Sequence, residues 1–342
     1  VRGIALLLGF LVFSASSPLR AATPIPPPVT EIGDQRLMVG PGVLPLFATR
    51  DWAQPQPGIR RAVIIVHGYK RNAGDYLRHV EGMGPPADTL VVAPQFVAPE
   101  DIAAHNLSAA TLRWEREAWS SGLPALGPAP ESSFAAIDAL LARLGDRTQF
   151  PNLTEIVVAG FSAGGQLIQR YVAVGKGEDA IGRGGVALRF VVGSPSSFAY
   201  FGDARPGPDG AAAAFAGAAS CPQYNNWKYG FAGDLPPYVA AALAPGVPAI
   251  ERRYAARDVT YLIGGADDDP NHKFLDKSCG GDAQGPTRLA RSRNFYAVMR
   301  QRDGAALRQS LAIVPGAAHN AVKVLGSPCG RAALFGDKEI CR

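Results

Sequence analysis

The sequence predicts an α/β protein: a mostly parallel, twisted sheet with helices on both faces and insertions over its site. Three observations predict it. Short, continuous, largely β-branched apolar runs recur along the chain, as over residues 62–66 in "RAVIIVHGYK". That is the pattern of parallel strands buried on both faces. Helical stretches alternate with these runs. The residues able to do chemistry fall just past the carboxyl ends of the runs, where open parallel sheets bind ligands.

The elements follow in order. Arg2, an apolar stretch over residues 4–13 and the small pair Ala21-Ala22 read as a secretory signal over residues 1–22, with an uncleaved anchor as the alternative. The apolar stretch is short for a bilayer, and no later segment is a candidate span, so no stable membrane insertion is expected. Residues 23–34, "TPIPPPVTEIG" with its neighbours, form a proline-rich extended leader. The α/β domain occupies 35–342. It opens with one or two edge strands in "RLMVGPGVLPLFATR", then the strand over 62–66, a helix in "GDYLRHVEGM" and a buried strand in "DTLVVAPQF".

Residues 97–130 form a long, lid-like excursion containing Trp114 and Trp119, with "SAATLRWEREAWSSG" helix-like within it. Ser132 or Ser133 then caps a helix that carries Phe134, Ile137, Leu141 and Leu144 on one face and stops at Gly145. A strand over 156–159 leads into a helix from about Ala163 to Tyr171. "VALRFVVGSPSS" is the next strand. Residues 198–257 loosen into a Gly/Ala/Pro-rich, aromatic, cap-like insertion with Tyr224, Trp227 and Tyr229. "DVTYLIGGADDD" is a strand ending in acids, "GPTRLARSRNFYAVMRQRDG" a helix with a solvated basic face, and "QSLAIVPGAAHN" the last strand. No internal repeat is visible.

Composition bounds the function. The 342 residues are 47% hydrophobic and only 18% charged, which supports a sizeable core and argues against a coiled coil or a largely disordered chain. The net charge is +5; removing residues 1–22 takes away Arg2 and Arg20, leaving 32 basic against 29 acidic residues, or +3. Without a basic stripe this excludes a nucleic-acid footprint. Four cysteines in an exported chain suggest two disulfides. Cys221–Cys279 and Cys329–Cys341 are the favoured pairs, with the other pairings open. No C-x-x-C or neighbouring histidine supports a zinc site, so no metal is expected.

The stretch Gly160-Phe161-Ser162-Ala163-Gly164 joins a buried strand to a helix. Such a turn strains its middle residue and exposes the side chain, and flanking glycines allow strand and helix to cross closely. Ser162 is therefore the candidate nucleophile, and the Ala163 N–H sits where a helix N-terminus faces an oxyanion. A serine needs a base. Of five histidines only His319 follows Ser162 at a strand end. His79 lies in a helix and reads as solvent-facing, His105 as a loop residue, and His272 as a loop residue near the mouth or a weak ligand. Asp267, at the first turn after "YLIGG", is the candidate acid that orients the base, with Asp268 second.

The order Ser162, Asp267, His319, together with "VIIVHGY", "GFSAGG", "LIGGADD" and "GAAHN", resembles the α/β-hydrolase family over roughly residues 35–330. The resemblance implies an oxyanion hole made by the backbone N–H groups of Tyr69 and Ala163, with His67 structural. It implies no cofactor. It also implies an exported, secreted or periplasmic, serine hydrolase acting on a small-molecule or polymeric ester. A peptidase with the same triad and a non-catalytic binding protein of this fold are the rivals. The G-x-S-x-G-G form selects no substrate. Trp114, Trp119, Trp227 and Tyr229 are candidates for an aromatic substrate platform, weighed against a small core of the excursions themselves.

Overall fold

Eight strands form one sheet in the order β1-β2-β4-β3-β5-β6-β9-β10. They are β1 (Gln35–Val39), β2 (Gly42–Ala48), β3 (Arg61–Val66), β4 (Thr89–Pro94), β5 (Glu155–Phe161), β6 (Ala187–Gly193), β9 (Asp258–Gly264) and β10 (Gln309–Val314); a separate hairpin pairs β7 (Ala204–Pro206) with β8 (Ala212–Ala214). The computed structural model describes residues 25–182, 185–207 and 211–336. The expected signal peptide and Cys341 lie outside these residues. Within the eight-stranded sheet β1 and β2 pair antiparallel, as do β2 and β4, while the other ladders are parallel.

Alternation inside the apolar runs explains why they are continuous. In β3, Ala62, Ile64 and Val66 enter the core on one face of the sheet, and Val63 and Ile65 enter the core on the other. Each large aliphatic side chain buried this way contributes about 1.5–3 kcal/mol. The first face is covered by α3 (Ser133–Gly145), α4 (Ala163–Val174), α7 (Val247–Ala256) and α9 (Arg288–Asp303). The second face is covered by α1 (Ala73–Gly82), α10 (Ala321–Leu325) and α11 (Pro328–Phe335). Ser132 caps α3 by accepting the Phe134 N–H, an interaction that contributes about 1 kcal/mol.

Four expectations change. First, the excursion over 97–130 holds only α2 (Pro99–Ala104) and a short 3-10 turn, Ala118–Ser121. "SAATLRWEREAWSSG" is otherwise bridges and turns rather than helix, because isolated bridges tie Thr111 to Val43 and Arg113 to Gly127, and the Trp114 indole donates to the Leu123 carbonyl. Second, the 198–257 region is not all insertion. Beyond a short helix α6 (Pro237–Ala242), α7 packs against α4 as an ordinary sheet-covering helix. Ahead of this region, between α4 and its start, lie α5 (Glu178–Ile181) and β6. Third, the "solvated" basic face of α9 is partly interior: Arg288 and Arg291 are buried, and Arg291 donates to the carbonyls of Ser196, Asp276 and Gly285. Sequence polarity concealed this because three carbonyls and a carboxylate, Asp282, satisfy a guanidinium as well as water does. Fourth, the extended leader, set apart from the 35–342 domain in the sequence, packs against it: Val29 is buried, and residues 27–33 bond to Arg71, Gln95 and Asp101.

Cys221 and Cys279 form a disulfide that joins the insertion to the short helix α8 (Cys279–Asp282). The expected Cys329–Cys341 pairing falls outside the described residues through Cys341. No helix among the described residues is long and apolar enough to cross a membrane.

Candidate active site

β5 delivers Ser162 to the turn before α4. Ser162 has φ 59° and ψ −116°, a strained conformation for a non-glycine residue. The crossing that enforces it is tight. A Cβ on Gly160 would meet the Gly164 carbonyl oxygen at 2.4 Å, and one on Gly164 would meet those of Val66 and His67 at 2.5 and 2.6 Å. The Ser162 N–H donates to the Gly193 carbonyl at 2.8 Å, which prolongs the β5–β6 ladder through the turn.

The ends of β9 and β10 bring two more groups to this point. His319 Nε2 lies 3.0 Å from Ser162 Oγ, and His319 Nδ1 lies 2.7 Å from Asp267 Oδ2. Asp267 is 3% exposed, whereas Asp268 and Asp269 are exposed. The geometry therefore separates Asp267 from its neighbours, a distinction sequence left open. The loops are stitched together by the Gly265 N–H to the Val314 carbonyl and the Ala266 N–H to the Ala317 carbonyl.

Burial alone raises the Asp267 pKa, but the His319 hydrogen bond and the charge of Arg288 outweigh it, and the carboxyl titrates below its ordinary value. An ionised Asp267 accepts from His319 Nδ1–H, leaving Nε2 bare to accept from Ser162. The His319 pKa is lowered, by burial first and also by Arg288, against the opposing pull of Asp267. Arg288 was missed in the sequence. Its Nη1 stands 3.4 Å from Asp267 Oδ1 and its Nε donates to Ser196 Oγ, with both ionic partners buried. Only the position of Arg288 at the first turn of a helix following the acidic loop could have hinted at it.

Tyr69, expected as an oxyanion donor, lines the same cleft as Ser162, and Ala163 follows the serine in the chain. Among the described residues, neither backbone N–H donates to another group. Ala163 is the first residue of α4, so its N–H has no intrahelical acceptor. His67 is a buried structural residue. Its Nδ1 donates to the Gly68 carbonyl, its Nε2 accepts the Phe96 N–H, and burial pushes its pKa down to about 4.

A cleft of about 480 Å³ opens beside Ser162 and His319. Tyr69, His272 and Phe274 form an aromatic wall, with Tyr69 and Phe274 ring centroids 5.7 Å apart. Asp75 and His79 line it from α1, Lys70 and Asn72 from the turn before α1, and Ala321 and Val322 from α10. His272 is a loop residue at the mouth of the cleft, one of the two alternatives weighed for it; it packs 5.1 Å from the His319 ring and accepts the Phe274 N–H at Nδ1. His79, expected to face solvent, lines the cleft, and His105 bonds to the leader carbonyl of Val29.

The aromatic platform is corrected. Trp114 and Trp119 are fully buried, with Trp119 stacked on Phe96 at 5.2 Å and edge-on to His67. Trp227 bonds Ser121 of the other excursion, and Tyr229 bonds Asp276. None of the four lines the cleft; Trp114 and Trp119 belong to the core on one face of the sheet, and Trp227 packs against it partly buried. No group of metal-ligating side chains occurs among the described residues.

The architecture is the α/β-hydrolase fold. It is shared with a poly(aspartic acid) hydrolase from Sphingomonas sp. KT-1, at TM-score 0.57 and 20% identity over 87% of this chain and 96% of that one. It is shared as well with a poly(3-hydroxybutyrate) depolymerase from Bordetella parapertussis, at TM-score 0.58 and 19% identity over 86% of this chain and 85% of that one. No protein-family model and no curated protein matches the chain.

Proposed function

We propose that the protein is an exported serine hydrolase that cleaves carboxylic esters through an acyl-enzyme. The observation that carries this is the continuous hydrogen-bonded line from Ser162 Oγ through His319 to the buried Asp267. His319 Nε2 takes the Ser162 proton as Oγ attacks the acyl carbon. The imidazolium that forms is stabilised by Asp267, and the tetrahedral oxyanion by the N–H groups of Tyr69 and Ala163. His319 then returns the proton to the leaving alcohol. Water, activated by the same base, releases the acid. The reaction requires no cofactor.

Export is supported by the signal-like residues 1–22 and by the Cys221–Cys279 disulfide, which suits an oxidising compartment. The substrate is a small or polymeric ester that fits a cleft with one aromatic wall and one polar wall. Of the two structural neighbours, one is named for a polyester and the other for an amide-linked polymer, so poly(3-hydroxybutyrate) is the first polymeric ester to try and poly(aspartic acid) its amide counterpart. The test is turnover of an ester and an amide with the same acyl group. The ester is hydrolysed with kcat/KM far above the amide, and Ser162→Ala lowers ester turnover by at least about 10³-fold. Equal kcat/KM on the two substrates would favour a peptidase instead.

A further inference from the structure

We infer that Gln95, together with the buried Arg71–Asp101 pair, is a positioning device for the oxyanion loop, and that it works by lashing leader residues 27–33 to the turn that presents the Tyr69 N–H. This inference rests on the esterase reading above.

Two residues beyond Tyr69, Arg71 has φ 61°. A bulky residue is strained there and persists only where its surroundings over-determine it. They hold Arg71 at its N–H, its carbonyl and its guanidinium. Its N–H donates to the Gly68 carbonyl at 3.1 Å, closing the turn around Tyr69. Its carbonyl accepts Gln95 Nε2 at 3.1 Å. Its guanidinium makes two bonds to Asp101, at 2.7 and 3.0 Å, and a third to the Pro27 carbonyl at 3.2 Å.

The other ends of these contacts lie in the leader. Gln95, just past β4 and fully buried, accepts the Gly33 N–H at Oε1 and gives its second Nε2 proton to the Glu31 carbonyl. Asp101 also accepts the N–H groups of Val29 and Ala98. The side chain at 95 must therefore be an acceptor and a double donor at once, a combination met by a primary amide and by neither a carboxylate nor an aliphatic group. None of these residues touches the reacting atoms. They act through the turn, and a misplacement of about 1 Å at a catalytic group is worth about 100-fold in rate.

The experiment compares an ester with its thionoester in wild type and in Gln95→Leu. Each rate is expressed per Ser162 titrated by a fluorophosphonate. Sulfur is the weaker hydrogen-bond acceptor, so the oxo-to-thiono ratio of kcat/KM reports the oxyanion hole itself. For Gln95→Leu we expect oxoester kcat per titrated site to fall about 10- to 100-fold with KM little changed, and the ratio to fall about tenfold. Arg71→Lys keeps a cation beside Asp101 but not the fork, and is expected to move the ratio the same way by less. It provides the reading should Gln95→Leu fail to fold. A fall in titratable sites alone, with kcat per site and the ratio unchanged in either variant that folds, would overturn the positioning role. Wild-type protein that hydrolyses the ester without labelling at Ser162 would overturn it too. That failure belongs to the triad reading and is told apart because it appears before any substitution.

Discussion

Gly164→Ala probes the strand–helix crossing that sets the geometry of Ser162. The added Cβ would lie 2.5 Å from the Val66 carbonyl oxygen and 2.6 Å from that of His67, where ordinary contact begins at 3.4 Å. The end of β3 and the start of α4 must therefore part by about 0.9 Å. Overpacking of this kind costs about 1–3 kcal/mol. The better helix propensity of alanine returns about 0.5–1 kcal/mol. The net loss should be about 1–2 kcal/mol, read as a lower urea midpoint with unchanged m. Because the end of β3 leads into Gly68 and Tyr69, the expected oxyanion donor moves with it, and kcat on a p-nitrophenyl ester should fall about 100-fold. Gly82→Ala is the control: nothing lies within 4 Å of its Cβ, so both readouts should hold or improve slightly. A Gly164→Ala variant with wild-type midpoint and wild-type kcat would refute the close crossing.

Further predictions concern protons and carboxylates. His319 works as a base only when neutral, and its lowered pKa puts the acid limb of kcat/KM below pH 6.5. Arg288→Met removes a lowering influence, so that limb should move to higher pH; a pH–rate profile with an unmoved limb would remove Arg288 from the account. Asp267→Asn should cost about 10⁴-fold in kcat by losing the orienting acceptor, while exposed Asp268→Asn should stay near wild type; reversal of the two would reassign the acid. Folding holds His67 neutral, with its pKa at about 4 against 6.5 for the free side chain. Between those values the unfolded chain binds more protons, so His67 contributes stability fully present above pH 6.5 and lost as pH falls toward 4, by about 3 kcal/mol. Denaturant midpoints of wild type and His67→Gln across that range should diverge, the variant showing the shallower decline on acidification; parallel curves would count against it.

The sheet was readable because its central strands are buried on both faces and announce themselves as unbroken apolar runs. Ser162, Asp267 and His319 stood out because each follows such a run and each is of a reactive type. What escaped was polar burial. Arg288 and Arg291 lie on a helix whose sequence looks solvated, and only the folded chain brings Asp267, Ser196 and the loop carbonyls to them. Gln95 is an unremarkable letter after "VVAP", and its role depends on a leader that comes back over 60 residues in sequence to meet it. Trp114 and Trp119 misled for the opposite reason. Large aromatics in a long excursion suggest a binding surface, but two indoles bury more area by closing over Phe96 and His67.

The most direct measurement is covalent labelling of the folded protein with a fluorophosphonate, followed by peptide mass spectrometry and residual ester turnover. One adduct is expected, on Ser162, with turnover lost in proportion to labelling and no adduct in His319→Ala over the same time. Folded protein that hydrolyses esters at its full rate with Ser162 unmodified would contradict it.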